Sequence, residues 1–169
     1  MKCLIQKRVI LLLTLFLIVF FISGCGHPSD QELITNFDDH RAEFEELLSM
    51  FQNDMELGLT RVGAGFTRPA DVTSIGITEE RIAEYYRLFK ILSLPDGIGG
   101  SPGKTIHFHS SSSGYGDAGS TKGYIYTKAP ADYFEQVEIL DGYTSPGNLS
   151  YFDVIRDIGD GWYLYYDRY

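Results

Sequence analysis

The chain has 169 residues, with 14 basic and 23 acidic side chains, a formal net charge of −9 and 14% aromatic residues. That length suffices for a single domain with its own core, and an acidic balance of this size makes nucleic acid and anionic lipid headgroups poor partners while leaving a basic protein partner open. The only cysteines, Cys3 and Cys25, both lie in or beside an apolar leader, so a disulfide framework is not on offer.

The leader has three zones. Lys2, Lys7 and Arg8 give a positive start, residues 9–22 are almost wholly apolar, and Ser23-Gly24-Cys25 follows. This is the layout of a secretory signal, and its apolar run would reach roughly 21 Å as a helix against a hydrocarbon core of about 30 Å, so it is too short for a comfortable membrane span. Ile22-Ser23-Gly24-Cys25 resembles the lipobox of bacterial lipoproteins. The resemblance implies removal of residues 1–24, a diacylglyceryl group on the Cys25 sulfur and acylation of the new amino terminus, palmitate being a typical chain. Gly26 stands where enteric bacteria place Asp to retain lipoproteins in the inner membrane. The implied address is therefore the cell envelope, with the outer membrane facing the periplasm favoured in a Gram-negative source. Three basic residues and no acidic ones leave with the leader, so 11 basic and 23 acidic residues remain and the mature charge is −12. Residues 25–29 then read as a lipidated anchor and short tether, and 30–169 as one globular domain.

Ser29 and Glu32 have capping-box spacing, and Leu33, Phe37, His40, Phe44, Leu47, Phe51 and Met55 recur at helical steps, which predicts one long amphipathic helix. Its other face carries Asp38, Asp39, Glu43, Glu45, Glu46 and Asp54, a solvated acidic surface. Leu57, Leu59 and Arg61 alternate ahead of Gly63, suggesting a short strand, and the following stretch to Gly76 is loop-like. Thr78 offers an N-cap to a second helix through Ile82, Tyr85, Phe89 and Leu92, stopped by Leu94-Pro95-Asp96-Gly97. From Thr105 the period becomes two. Residues 105–109 and 123–127 read as strands joined by a Ser/Gly-rich loop over 110–122, and 131–140 fits helix and strand equally. Residues 151–158 and 162–166 are β-rich runs around Gly159-Asp160-Gly161, a three-residue hairpin signal. The expected fold is α+β, two helices packed on a mostly antiparallel sheet of about four to six strands.

Several stretches imitate chemical motifs. Residues 97–105, GIGGSPGKT, end like a phosphate-binding loop, but Ile98 occupies the leading glycine position and the context runs from helix to strand. His107 and His109 share a strand face, as two metal ligands would, with Asp117 as the nearest third candidate; two imidazoles alone do not make a zinc site. Ser110 to Ser113 beside His109 lack the spacing of a nucleophile elbow, and Asp38-Asp39 and Glu79-Glu80 point apart on helices. No catalytic constellation, cofactor or metal site is expected. The tyrosines offer a binding surface instead: His107, His109, Tyr115, Tyr124 and Tyr126 form the candidate ligand face, because tyrosine gives contact area at small entropic cost.

The stretches ITEERIAEYYRLFKILSLPDGI, KGYIYTKAP and VIRDIGDGWYLYYDRY together resemble a group of small bacterial envelope lipoproteins, in which such a helix precedes a sheet closed by a Trp-Tyr-Leu-Tyr strand. The resemblance implies framework roles for Gly123, Tyr126, Trp162, Tyr163 and Leu164, and carries over no catalytic residue. The expected function is a non-enzymatic, membrane-anchored binding protein of the envelope, of which one form is an immunity-type protein whose acidic face blocks a basic toxin. The alternative is a structural or assembly lipoprotein binding an envelope protein or glycan. Behind both stands a metal-dependent hydrolase using His107 and His109.

Overall fold

A computed structural model describes residues 26–115, 118–145 and 151–169, with the side chains of Tyr115 and Ala118 left aside. The leader, Cys25 and Asp117 lie outside the described residues. The elements in chain order are α1 (Asp30–Asp39), α2 (Arg41–Glu56), β1 (Arg61–Gly63), β2 (Phe66–Arg68), a 3-10 turn (Thr73–Ile75), α3 (Glu79–Leu92), β3 (Gly97–Gly100), β4 (Ile106–Tyr115), β5 (Ala118–Tyr126), β6 (Glu135–Gln136), β7 (Phe152–Gly159) and β8 (Trp162–Arg168). The fold is α+β, but with three helices and eight strands among the described residues where two helices and four to six strands were expected.

The capping box forms: the Glu32 amide donates to Ser29 Oγ at 3.2 Å and the Ser29 amide donates to Glu32 Oε2 at 2.7 Å. The expected single helix breaks at His40, whose backbone (φ −125°, ψ 27°) leaves helical geometry. Both neighbouring hydrogen bonds survive, from the His40 amide to the Asn36 carbonyl and from the Phe44 amide to the His40 carbonyl. No Gly or Pro signals the break, and the apolar stripe continues across it, because Leu33, Phe37, Phe44, Leu47, Phe51 and Met55 are all buried. Asp54 is a correction: it does not belong to the solvated face. It is buried between α2 and α3, where Arg81 Nε donates to it at 2.9 Å and the Tyr85 hydroxyl at 2.8 Å.

The strands form one sheet in the order β2-β1-β3-β4-β5-β8-β7-β6, antiparallel throughout except for the β6–β7 pair. Three corrections concern strands. The segment up to Gly76 contains β2, a hairpin partner of β1, and the expected strand start at Leu57 and Leu59 is a connection. The Ser/Gly stretch is not a loop: β4 and β5 continue as a hairpin past Ser110, with a bulge between His109 and Ser111. Serine suffices there because Ser110 to Ser113 are half-buried or exposed and need not fill a core. Residues 131–140 hold no helix, only turns and the two-residue strand β6. The β7–β8 connection is also tighter than its Gly-Asp-Gly signal implied, since Gly159 pairs with Trp162 and only Asp160 and Gly161 turn, both at positive φ (55° and 81°) as a type I′ hairpin requires.

One face of the sheet packs on the helices. Val62, Ile98, Phe108, Tyr124 and Leu164 lie in one register row and all are buried. Aromatic rings interlock above them, with centroid separations of 4.7 Å for Phe44–Tyr124, 4.9 Å for Phe108–Trp162 and 5.1 Å for Phe37–Trp162. Each such side chain removed from water stabilises the fold by about 2–3 kcal/mol. Their polar atoms are satisfied: Trp162 Nε1 donates to Glu45 at 3.0 Å, and the Tyr124 hydroxyl donates to the Leu33 carbonyl at 2.9 Å. At the end of this layer Lys122 is buried between Asp30 (2.8 Å) and Asp141 (2.6 Å), while Arg156 donates to Asp30 at 3.0 Å. That network ties the start of α1 to β5, β7 and the segment before Asp141.

Candidate functional site

The opposite, outer face of the sheet is built by the alternate residues of the same strands. One register row there reads Arg68 (β2), Arg61 (β1), Gly99 (β3), His107 (β4), Ile125 (β5) and Tyr163 (β8). Ile125, Ile155, Tyr163 and Tyr165, with Phe134 against them, make a small second core. Toward β1 the row changes character. Gly99 has no side chain, so the floor between Arg61 and His107 lies open, and the Arg61 stem runs beside the space a Gly99 Cβ would occupy (3.6 Å to its Cγ). Gly97 must be glycine, because a Cβ there would stand 2.0 Å from the Val62 carbonyl oxygen and its φ is 80°. The glycines that imitated a phosphate loop therefore form a strand with Ile98 in the core and an empty outer side.

The result is a cleft of about 610 Å³ lined by Arg61, Arg68, Lys104, His107, His109 and Asp167, with Tyr133, Thr60 and Thr105 on its walls. The two imidazoles stack with centroids 6.0 Å apart and planes at 16°. Tyr165 meets both edge-on, and its hydroxyl lies 2.6 Å from His109 Nδ1. Burial, aided by the Arg61 charge, pushes His107 down to about 4, and burial with His107 and Arg61 takes His109 down to about 3. Both are neutral near pH 7. Burial, then the neighbouring Asp153 charge, pushes Asp167 up to about 6, and burial raises Tyr165 well above its ordinary value.

No family model, curated protein or solved structure matches the chain. The site is therefore read from its own atoms.

Of the candidate ligand face, the structure brings together His107 and His109 only. Tyr124 is fully buried on the other side of the sheet, and Tyr126 lines a separate recess of about 440 Å³ with Met55 and Lys104. Tyr115 contributes no described side chain. Among the described residues no group of three or more His, Cys, Asp and Glu side chains could hold a metal ion, and no helix is long and apolar enough to cross a membrane. The serines beside His109 do not engage it. Ser110 donates to the Ser93 carbonyl at 3.3 Å, while Ser111 and Ser120 bond the two ring nitrogens of His27, each at 2.7 Å. His27 is a clasp, since a neutral imidazole with one donor and one acceptor is satisfied by two hydroxyls. It stands within the expected tether, residues 25–29, and ties that stretch to β4 and β5.

Sequence reasoning missed Arg61, Arg68, Lys104, Asp167 and the glycine floor. A usable signal was present in Gly97-Ile98-Gly99, an alternation of apolar and side-chain-free positions.

Proposed function

We propose that the protein is a lipid-anchored binding protein of the bacterial cell envelope, attached through Cys25, which holds a ligand in the outer-face cleft without transforming it. One observation carries this reading: Arg61, Arg68 and Lys104 gather around two neutral imidazoles in an acidic chain, and none of the three makes an ion pair among the described residues. A fold that needed these charges for stability would pair them, as it pairs Arg81, Lys122 and Arg156. Holding is favoured over turnover because imidazoles titrating near 3 and 4 are weak bases at neutral pH. Only Gly26 separates Cys25 in sequence from the clasped His27, so a lipidated domain would sit close against its bilayer.

The test is capture from envelope extract with the full, detergent-solubilised chain, comparing wild type with an Arg68→Gln/Lys104→Gln variant, alongside intact mass. Acyl mass on a chain starting at Cys25, with captured material lost in the variant, is the expected result. An uncut leader would remove the envelope address, and unchanged capture would remove the cleft.

A second reading, an immunity-type protein, is favoured by the acidic helix layer, where Asp38, Asp39, Glu45 and Glu46 stay exposed. A basic protein partner on that face would associate more slowly as salt rises.

A further inference from the structure

We infer that the outer-face cleft is a site for a small anionic saccharide, with its carboxylate or phosphate on Arg61, Arg68 and Lys104 and its ring toward Tyr133. The inference rests on the cleft reading above and names its ligand class. Arg61 and Arg68 stand directly opposite each other on β1 and β2, an arrangement that is destabilising between like charges unless something neutralises them. The chain has 23 acidic residues, yet Asp167 is the acid that lines the cleft, and it pairs with neither arginine. Arg61 is also half-prepared for a ligand. Its guanidinium is held over the Phe66 ring at 4.8 Å, and its Nε–H is buried with no hydrogen-bond partner. A guanidinium already held in place loses little freedom when it binds.

The remaining lining suits a polyhydroxylated body. Two neutral imidazoles offer uncharged hydrogen-bonding groups, and Tyr133, packed on Phe134 at 4.4 Å and 68% exposed, presents an aromatic ring at the mouth. A bare oxyanion would leave most of 610 Å³ to water, whereas ligand sites of about 300–1,000 Å³ commonly enclose most of a ring-sized molecule. A long polyanion is opposed by the net charge of −9.

Calorimetric titration of the full chain in a nonionic detergent, with glucuronate, glucose 6-phosphate, glucose and inorganic phosphate as probes, tests this. Both anionic sugars should bind at least tenfold more tightly than glucose or phosphate. Arg68→Gln, whose side chain is exposed and whose loss relieves the opposition of like charges and so should not lower the melting temperature, should weaken them about tenfold, and Tyr133→Ala should reduce glucose 6-phosphate to the level of phosphate. Glucose binding as tightly as glucuronate overturns the anion requirement while leaving the cleft as a ligand site. Phosphate equal to glucose 6-phosphate overturns the saccharide, and no heat with any probe overturns the inference as a whole. The cleft reading itself falls only if the capture experiment is insensitive to the Arg68→Gln/Lys104→Gln variant.

Discussion

The two faces of the sheet are made by the same strands and differ in how completely their polar groups are answered. On the helix face the large side chains interlock, and several of its polar members have named partners: Trp162 with Glu45, Tyr124 with the Leu33 carbonyl, Lys122 with Asp30 and Asp141. On the outer face the β5–β8–β7 side repeats this on a small scale around Tyr163 and Ile155, while the β1–β3–β4 side leaves two arginines and a lysine without an ion pair among the described residues, over a glycine floor. Stability is therefore concentrated on one face and unsatisfied binding capacity on the other. Where a fold of this acidity leaves positive charge unanswered, a ligand is the physical explanation to test first.

The sharpest way to break that division is Phe44→Ala against Tyr163→Ala. Phe44 is fully buried and touches Phe37, Phe108, Tyr124 and Trp162, so its loss should reduce unfolding free energy in urea by about 3–5 kcal/mol. Tyr163, at 9% exposure in a cluster of a few residues, should cost less than half as much. Equal losses would mean that the outer face carries the fold as well.

Lys122→Met comes next. Removing one partner of a buried ion pair costs about 3–5 kcal/mol because the other charge stays desolvated; here Arg156 still reaches Asp30, so about 3 kcal/mol is expected. The pH dependence identifies the mechanism. Burial alone would raise the Asp30 carboxyl, but Lys122, the Leu140 amide and Arg156 together hold it below its ordinary range. Its stabilising contribution is thus present above the unfolded carboxylate pKa of about 4 and lost as pH falls through its folded value. In the variant the loss should shrink in acid, where a protonated Asp30 no longer needs its cation. A loss that stays constant from neutral to acid pH would show that Lys122 acts through packing alone.

The parts of this architecture that were legible in the sequence are those with strong local signals. The capped start at Ser29, the helix behind Thr78 and the turn at Asp160-Gly161 all depend on residues a few positions apart. The helix break at His40 was hidden because it spares both the hydrogen bonds and the apolar period. Strand β3 was hidden because Gly97, Gly99 and Gly100 have low strand propensity, and only pairing with β1 and β4 holds it extended, while β2, three residues paired to β1 alone, is too short to display a period. The His107/His109 face could be read from period two alone. Its neighbours could not: Arg61 lies 46 positions upstream of His107, and Gly99 brings them into one row through sheet register, which a single sequence does not display.

The smallest expected effect lies within the cleft and has the opposite sign to ordinary damage. Asp167 accepts a hydrogen bond from the Thr121 amide at 2.9 Å, pairs across strands with Asp153 and shares the cleft with His109 and Arg68. Burial first, and then the Asp153 charge, raises it from 3.8 to about 6. A carboxyl whose folded pKa lies above its unfolded one takes up its proton in the folded state first, so it favours folding increasingly as pH falls from about 6 toward 4 and opposes it above 6. The imidazoles act the other way, because His107 and His109, held near 4 and 3, stay neutral while the unfolded chain protonates below 6.5, and stability drops over that range. Asp167→Asn should therefore raise unfolding free energy at pH 7 by about 1 kcal/mol, a figure reduced from the shift itself because the carboxyl is partly exposed, and should steepen the fall in stability below pH 6. The same substitution removes a negative charge beside Arg68, so glucuronate should bind more tightly at pH 7 and its affinity should lose its rise toward pH 5. Urea titrations at pH 7 and pH 5, run with the calorimetry, read both outcomes. Destabilisation at pH 7 would show that the charge on the acceptor of the Thr121 hydrogen bond outweighs the cost of burying it, and that this edge of the outer face belongs with the packed side of the sheet.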